Sequence, residues 1–166
     1  MHFVRFRTKT CREVSSLKNI SDKYSEYGAL LDQFDKELDD IYHDYALRHN
    51  LSDAALWILY VVHGSDAGIT QADICNGWFF SRQTINTALK GLTRQGIIQL
   101  DAVPGNRKSK HVTLTPQGQA LALQIVVPLK QAENQVFASF SDAENQLFVE
   151  MAGKRCSLLR EFLKRK

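Results

Sequence analysis

Apolar residues near the N-terminus recur at alternating spacings of three and four positions. This pattern runs from about Asn19 to Arg48 and predicts one long helix with a heptad-like apolar face and acidic residues on its outer side. Such a face needs a partner helix. A helix of the same monomer would suffice, but we favour a second copy of the chain, because a similar face recurs near the C-terminus. The apolar positions of this first helix are Tyr27, Leu31, Phe34, Leu38, Ile41 and Tyr45.

Three hydroxyl residues, each preceded by an apolar residue, mark helix starts in the next part of the chain. Ser52, Thr70 and Ser81 each provide a side-chain oxygen that can accept from the first backbone N–H groups of a helix. They predict a helix from about 53, a short helix over 71–77 and a longer helix over 82–95.

Two further helices are indicated in the C-terminal third. Thr115 followed by Pro116 is a cap with proline at the first helical position, and it predicts a helix to about Ser139. Pro128 lies inside this helix, where we expect a kink. A capping box over 141–144 starts the last helix. Its apolar face consists of Leu147, Phe148, Met151, Leu158, Leu159 and Phe162.

A β-hairpin is predicted between these two groups of helices. Gly96 suits the left-handed residue that ends a helix, and residues 97–103 then form a strand. The segment PGNRKSK, residues 104–110, is a turn-rich basic loop. Residues 111–114 alternate as the returning strand, so the hairpin has a cationic tip.

The positive charge of the chain is concentrated around this hairpin. The whole protein has a formal net charge of +3, and residues 70–115 contain six basic side chains and only two acidic ones. Residues 81–95 contain no acid, whereas an ordinary solvated helix face is rich in both Glu and Lys. This distribution is typical of a polyanion-binding module within a nearly neutral scaffold.

The order helix, turn, helix, strand, basic loop, strand is that of a winged helix-turn-helix, in which the second helix enters the DNA major groove. Arg, Gln and Asn have the geometry to read base edges, and Ser and Thr suit phosphates. An Arg at the hairpin can enter the minor groove, with Lys on phosphates. The candidate contacts on the recognition helix are Ser81, Arg82, Gln83, Thr84, Asn86, Thr87 and Lys90, and those on the wing are Arg107, Lys108 and Lys110.

The run TQADICNGWFFSRQTINTALKGLTRQGIIQL, followed by NRKSKHVTLTPQG, resembles the MarR family of bacterial transcriptional regulators. The likeness extends from about Ser21 to the C-terminus and implies a homodimer on a palindromic operator, with wing arginines in the minor groove. The family commonly has Asp-Arg-Arg where this chain has Asn106, Arg107 and Lys108, so an acid that would brace the arginine is missing.

The expected fold is therefore mostly α, with a winged helix-turn-helix lobe and terminal helices that form an intertwined dimerisation domain. We assign residues 1–18 to a basic arm, 19–50 and 117–166 to the dimerisation domain, and 51–116 to the DNA-binding domain. The expected function is a DNA-binding transcriptional regulator, most simply a repressor. The alternative is a winged-helix module that binds protein instead of DNA.

Other chemistry finds little support in the sequence. The five histidines show no metal-ligand spacing, and no nucleophile or phosphate-loop motif is present, so we expect neither an enzyme nor a metal or other cofactor. No apolar run is long enough to span a membrane, and no secretory signal precedes the helices, which favours a cytoplasmic protein. Three widely spaced cysteines fit reduced thiols, with a redox role left open.

A small-molecule effector is a further expectation from the resemblance. Family members often bind an aromatic or phenolic molecule between the helical dimer domain and the winged lobe, which alters the spacing of the lobes, and we expect such a molecule to release this protein from DNA. Core packing alone would also explain aromatics at these positions. The residues on the helices that would line such a pocket are Tyr42, Tyr45, Trp57, Tyr60 and His63.

Overall fold

The computed structural model describes residues 20–65, 68–77, 80–103 and 106–164. In these ranges the chain is mostly helical, with six helices and one small antiparallel sheet, which confirms the predicted fold class. Each predicted helix is present, with ends within a residue or so of the expected ones. The elements are α1 (Ile20–Arg48), α2 (Asp53–His63), β1 (Ile69–Thr70), α3 (Gln71–Gly77), α4 (Arg82–Arg94), β2 (Ile98–Val103), β3 (Asn106–Leu114), α5 (Pro116–Ala138) and α6 (Asp142–Lys164).

The chain divides into two compact units, Met1–Asp53 and Ala54–Lys166. In the first unit, α1 ends in a left-handed residue, Asn50, with φ of 56°. The backbone N–H of Leu51 donates to the carbonyl of Ala46 at 3.0 Å, and that of Asn50 donates to Leu47 at 3.0 Å. These two bonds form a Schellman motif, which satisfies carbonyls that a helix end otherwise leaves without partners.

Both long terminal helices expose apolar side chains. On α1, Phe34 is 59% exposed and Leu38 is 52% exposed. On α6 none of the residues is buried, and Phe148 is 67% exposed. Exposure of so many large apolar residues along helices is unusual for a protein surface, which normally keeps its contiguous apolar patches small.

The core of the second unit is built from α2, α3, α4, α5 and the sheet. The inner face of α4 is apolar, since Ile85, Leu89 and Leu92 are buried. The largest side chains that are almost completely buried in this unit are Leu56, Ile58, Leu59, Ile74, Ile85, Leu89, Ile98, Val112 and Val126.

The sheet has the strand order β1-β3-β2 and is antiparallel throughout. It corrects two expectations. First, Ile69 and Thr70 are strand β1, paired with Val112 and His111, so Thr70 is a strand residue as well as a helix cap. The cap itself is confirmed, because the backbone N–H of Asp73 donates to Thr70 Oγ1 at 3.1 Å.

The second correction concerns the basic segment before His111, which we expected to be a loop. The strand β3 begins at Asn106, so Arg107, Lys108 and Lys110 lie on strand backbone. Lys110 pairs with Ala102 in regular register, and the register shifts before Val103 pairs with Asn106. Ladder pairing with β2 satisfies backbone groups that a loop would leave to water, and this outweighs the weak strand propensity of the segment.

The start of α5 packs against the end of α4. Gly96 has φ of 69° and is followed by Ile97, whose backbone N–H donates to the carbonyl of Leu92 at 3.0 Å, so the predicted left-handed C-cap of α4 is confirmed. The carbonyl of Ile97 accepts from the backbone N–H of Thr115 at 3.1 Å. The Thr115 hydroxyl also caps α5, because it accepts from the N–H of Gly118 at 3.1 Å.

Gly118 is buried at this junction, directly against the backbone of Ile97. A Cβ atom at position 118 would lie 1.9 Å from the carbonyl oxygen of Ile97, far inside van der Waals contact. Only glycine therefore permits this approach of α5 to the end of α4.

The capping box predicted for α6 is confirmed. The backbone N–H of Ser141 donates to Glu144 Oε2 at 2.8 Å, and that of Glu144 donates to Ser141 Oγ at 3.3 Å. The hydrogen bonds from Ser141 hold the pKa of the Glu144 carboxyl below its usual value. Asn145 adds a link to α5, because its Nδ2 donates to the carbonyl of Phe137 at 2.9 Å.

Candidate nucleic-acid interface

The outer face of α4 presents every recognition-helix candidate to solvent. The helix starts at Ser81, whose Oγ accepts from the backbone N–H of Thr84 at 3.1 Å. Opposite the buried Ile85, Leu89 and Leu92, the side chains on the outer face carry no acid. The exposed candidates are Ser81, Arg82, Gln83, Thr84, Asn86, Thr87 and Lys90.

Hydrogen bonds within α4 limit what its hydroxyl groups can offer to DNA. Ser81 Oγ and Thr84 Oγ1 lie 2.8 Å apart, so one of the two protons is used between them and one remains to donate. Thr87 Oγ1 donates to the carbonyl of Gln83 at 2.9 Å. Since a phosphate oxygen only accepts, Thr87 in this rotamer offers DNA its methyl group and its lone pairs rather than a donor.

Asn86 has a partner that the sequence did not indicate. Gln71 Nε2, at the start of α3, donates to Asn86 Oδ1 at 2.5 Å. The two residues are fifteen positions apart and on different helices, so no helical spacing relates them. This contact joins the two helices of the helix-turn-helix through their polar side chains.

An open groove of about 450 Å³ runs beside α4. Gln71 and Asn86 belong to its lining, and Leu89 and Leu100 contribute apolar surface. Two cations and no acid line it, so it suits an anion such as a phosphate. The lining residues are Gln71, Asn86, Leu89, Lys90, Thr93, Arg94 and Leu100.

The acids near this surface are engaged by neighbouring polar groups. Asp73 on α3 accepts from the Thr70 hydroxyl. On the sheet, Asp101 Oδ2 accepts from Thr113 Oγ1 at 3.0 Å and from Gln99 Nε2 at 3.1 Å. Lys110 on β3 is exposed. The side chains of Arg107 and Lys108 lie outside the described part of the structure, although their backbone is in β3.

Two of the aromatic candidates form a cluster on α2 with α5. Tyr60 OH donates to Glu133 Oε2 at 2.7 Å, and Lys130 Nζ lies 4.5 Å from the centre of the Tyr60 ring. Trp57 contacts the same ring edge-on, with centroids 5.3 Å apart. Partial burial, followed by the bond to Glu133, raises the pKa of Tyr60 to about 12. The phenol therefore stays protonated and keeps its donor on Glu133.

The remaining candidates for the ligand pocket lie on α1 and at the end of α2. On α1 the Tyr45 ring packs against His49, with centroids 4.7 Å apart, and Arg48 lies 5.6 Å from the ring centre. Tyr42 is half-buried on the same helix, and His63 is the last residue of α2. In the described ranges no three His, Cys, Asp or Glu side chains come together in a metal-binding arrangement. None of the helices there has the length and hydropathy to cross a membrane.

A family model described as the MarR family matches residues 49–109, which span α2 to the start of β3. The chain contains a MarR-family winged-helix domain. The recognition helix α4 and the strands β1 and β2 lie inside this match, whereas most of β3, including Lys110, lies beyond its end. A comparison with curated proteins gives no match.

Solved structures share the fold of this chain well beyond the segment that the family model matches. A MarR family transcription regulator has a TM-score of 0.71 at 18% identity, over 88% of this chain and 96% of that one. The DNA complex of Staphylococcus aureus MepR has 0.65 at 19% identity, over 80% and 97%. Bordetella bronchiseptica BpsR, whose DNA binding is regulated by 6-hydroxynicotinic acid, has 0.61 at 21% identity, over 78% and 91%. At these identities the likeness shows a shared fold.

Proposed function

We propose that this chain is a homodimeric transcriptional repressor that binds a palindromic operator and is released by a small aromatic ligand. The MarR family match supports the broader class, a DNA-binding transcription regulator. The observation that carries the proposal is the exposed, acid-free face of α4 with Arg82, Gln83 and Asn86, in a domain whose strand β3 contains three basic residues. Arg, Gln and Asn are the side chains that pair with base edges in the major groove.

Direct binding to DNA is tested first. We expect the protein to shift a duplex from the region upstream of its own gene, with an affinity that falls steeply as salt rises, because Lys and Arg release counterions from phosphates. Lys90→Ala should reduce the steepness of the plot of log association constant against log salt concentration by about one, as expected for the loss of one phosphate contact. Lys154→Ala removes the same charge from α6 and is the matched control.

Binding that is equally strong at low and high salt contradicts this model. Complete absence of a shift, for this region and for a randomised duplex library, favours the alternative of a winged-helix module that binds protein.

The homodimer is supported by the exposed apolar faces of α1 and α6. Side chains such as Phe34 and Phe148 each lose about 2 kcal/mol of burial energy when left in water, and a second copy of the chain offers the same face. Sedimentation equilibrium should give twice the chain mass. Phe148→Asp should shift the protein toward the monomer, whereas Gln95→Asp, at an exposed position in the DNA-binding domain, should leave the dimer intact.

Release by an aromatic ligand is supported by BpsR, which shares the fold and is regulated by 6-hydroxynicotinic acid. In this chain Trp57, Tyr60 and Lys130 offer a ring-stacking surface with a cation for a carboxylate. Fluorescence anisotropy of bound DNA, titrated with hydroxylated aromatic carboxylates, tests the release. If Trp57→Ala leaves the ligand response unchanged, this surface is not the binding site.

A further inference from the structure

We propose that Gln71 is a positioning residue, which fixes the carboxamide of Asn86 so that Asn86 reads an adenine in the major groove. The inference rests on the proposed DNA binding and adds a residue outside the recognition helix to the determinants of base preference. Its starting point is the direct bond from Gln71 Nε2 to Asn86 Oδ1.

The two residues are placed by different elements. Gln71 is the first residue of α3 and is half-buried, directly after Thr70, which β3 holds by strand pairing. Asn86 lies one turn into α4 and is exposed. Gln71 is thus attached to the sheet through Thr70, and Asn86, which it holds, faces the groove beside α4.

A carboxamide has two N–H donors and an oxygen with two lone pairs. Gln71 takes one lone pair of Asn86, so both Nδ2 protons and the second lone pair remain. This is the set that adenine requires, because its N7 accepts and its N6 amino group donates in the major groove. The contact to Gln71 therefore leaves the reading edge of Asn86 intact.

Anchoring matters because the terminal torsion of an asparagine is broad and roughly two-fold. An unanchored Asn86 could turn its oxygen or its nitrogen outward with similar ease. Gln71 selects one orientation before DNA arrives, which removes part of the ordering cost that binding would otherwise incur. The result is a sharper preference at one position of each half-site.

The opposite arrangement would read a different base. If Asn86 donated to an acceptor at position 71, its oxygen would turn to the groove and would favour an amino group such as cytosine N4. Gln71→Glu imposes this arrangement, because a carboxylate only accepts. Gln71→Met keeps the length of the side chain and removes its hydrogen bonds.

The experiment selects bound sequences from a randomised duplex library with the full-length wild type and with Asn86→Ala, Gln71→Glu, Gln71→Met and Gln124→Glu. Asn86→Ala identifies the position that Asn86 reads. Gln124→Glu adds the same negative charge as Gln71→Glu at an exposed site on α5 and is its control. Relative preference among the four bases is measured at each position, and far-UV circular dichroism verifies folding.

We expect the wild type to prefer adenine at the Asn86 position by about 5- to 150-fold, the discrimination of one bidentate pair. Gln71→Glu should move this preference toward cytosine, and Gln71→Met should weaken it by about two- to tenfold, the cost of ordering one side chain. All other positions, and the salt slope of Gln71→Met, should stay as in the wild type.

The inference is overturned if both Gln71 variants keep the wild-type preference at the Asn86 position, or if Asn86→Ala changes no base preference. It is also overturned if Gln71→Glu and Gln124→Glu change the preferences alike, since the effect would then be one of charge. A wild type that binds no duplex refutes the proposed function itself, which separates that failure from a failure of the Gln71 contact.

Discussion

Replacement of Gly118 by alanine is the sharpest test of the packing between α4 and α5. The added Cβ would lie 1.9 Å from the carbonyl oxygen of Ile97, whereas ordinary contacts of this kind begin at 3.4 Å. The nearest atoms are backbone, so rotation of a side chain cannot relieve the clash. Either α5 or the end of α4 has to move.

Either movement lowers the stability of the fold in two ways, through poorer packing and through a lost hydrogen bond. Overpacking in a well-filled core costs about 1 to 3 kcal/mol. The same carbonyl accepts from the backbone N–H of Thr115, and loss of that bond adds about 1 kcal/mol. We therefore expect Gly118→Ala to lower the free energy of unfolding by about 2 to 4 kcal/mol. For a chain of this size that corresponds to a fall in Tm of about 4 to 16 °C.

The assay is thermal and urea unfolding followed by circular dichroism, at one fixed protein concentration because a dimer makes stability depend on concentration. Gly153→Ala on α6 is the matched control, since a Cβ there meets no atom within 4 Å. Alanine in a helix interior should stabilise that variant by about 0.5 to 1 kcal/mol. The reasoning is refuted if Gly118→Ala unfolds like the wild type while Gly153→Ala behaves as expected.

Three further changes test individual contacts. Tyr60→Phe removes the hydrogen bond to Glu133 and should lower the free energy of unfolding by about 1 kcal/mol below pH 10. Because folding raises the pKa of Tyr60 to about 12, the stabilisation of the wild type should vanish as the pH rises through 12. A difference in stability between variant and wild type that stays the same up to pH 12 would contradict this. Asn50→Gly should stabilise the protein by a few tenths of a kcal/mol to about 1 kcal/mol and Asn50→Ala should destabilise it, both in urea unfolding, because φ at this position is positive; equal unfolding of the two would argue against a strained cap. Ser81→Ala should cost about 1 kcal/mol through loss of the α4 cap, and unchanged stability would show that Thr84 finds another acceptor.

Local patterns in the sequence were sufficient to predict the helices and the exposed face of α4. Capping residues such as Ser81, Thr115 and Ser141 act within three or four positions of themselves, and apolar spacing of three and four decides which side of a helix is buried. The Gly96 cap is local in the same sense. These features depend on no distant part of the chain.

Strand β1, the beginning of β3 and the Gln71 contact were missed because they depend on distant residues. Two residues, Ile69 and Thr70, are too few to show an alternating pattern, and they become a strand only through pairing with β3. The beginning of β3 contains residues that favour turns, yet pairing with β2 extends it. Gln71 reaches Asn86 from another helix, and the close approach at Gly118 depends on where Ile97 lies.

The pairing of β1 with β3 also has a consequence for the order of folding. The hairpin of β2 and β3 joins neighbouring segments and can form in about 1 to 10 μs. By contrast, Ile69 pairs with Val112, and this contact closes a loop that contains α3, α4 and β2. Closing so long a loop is entropically costly until the enclosed helices have packed, so we expect β1 to join the sheet late. The pairing of β1 with β3 thus closes the chain segment that contains the recognition helix. We expect slow steps in refolding to involve this pairing first.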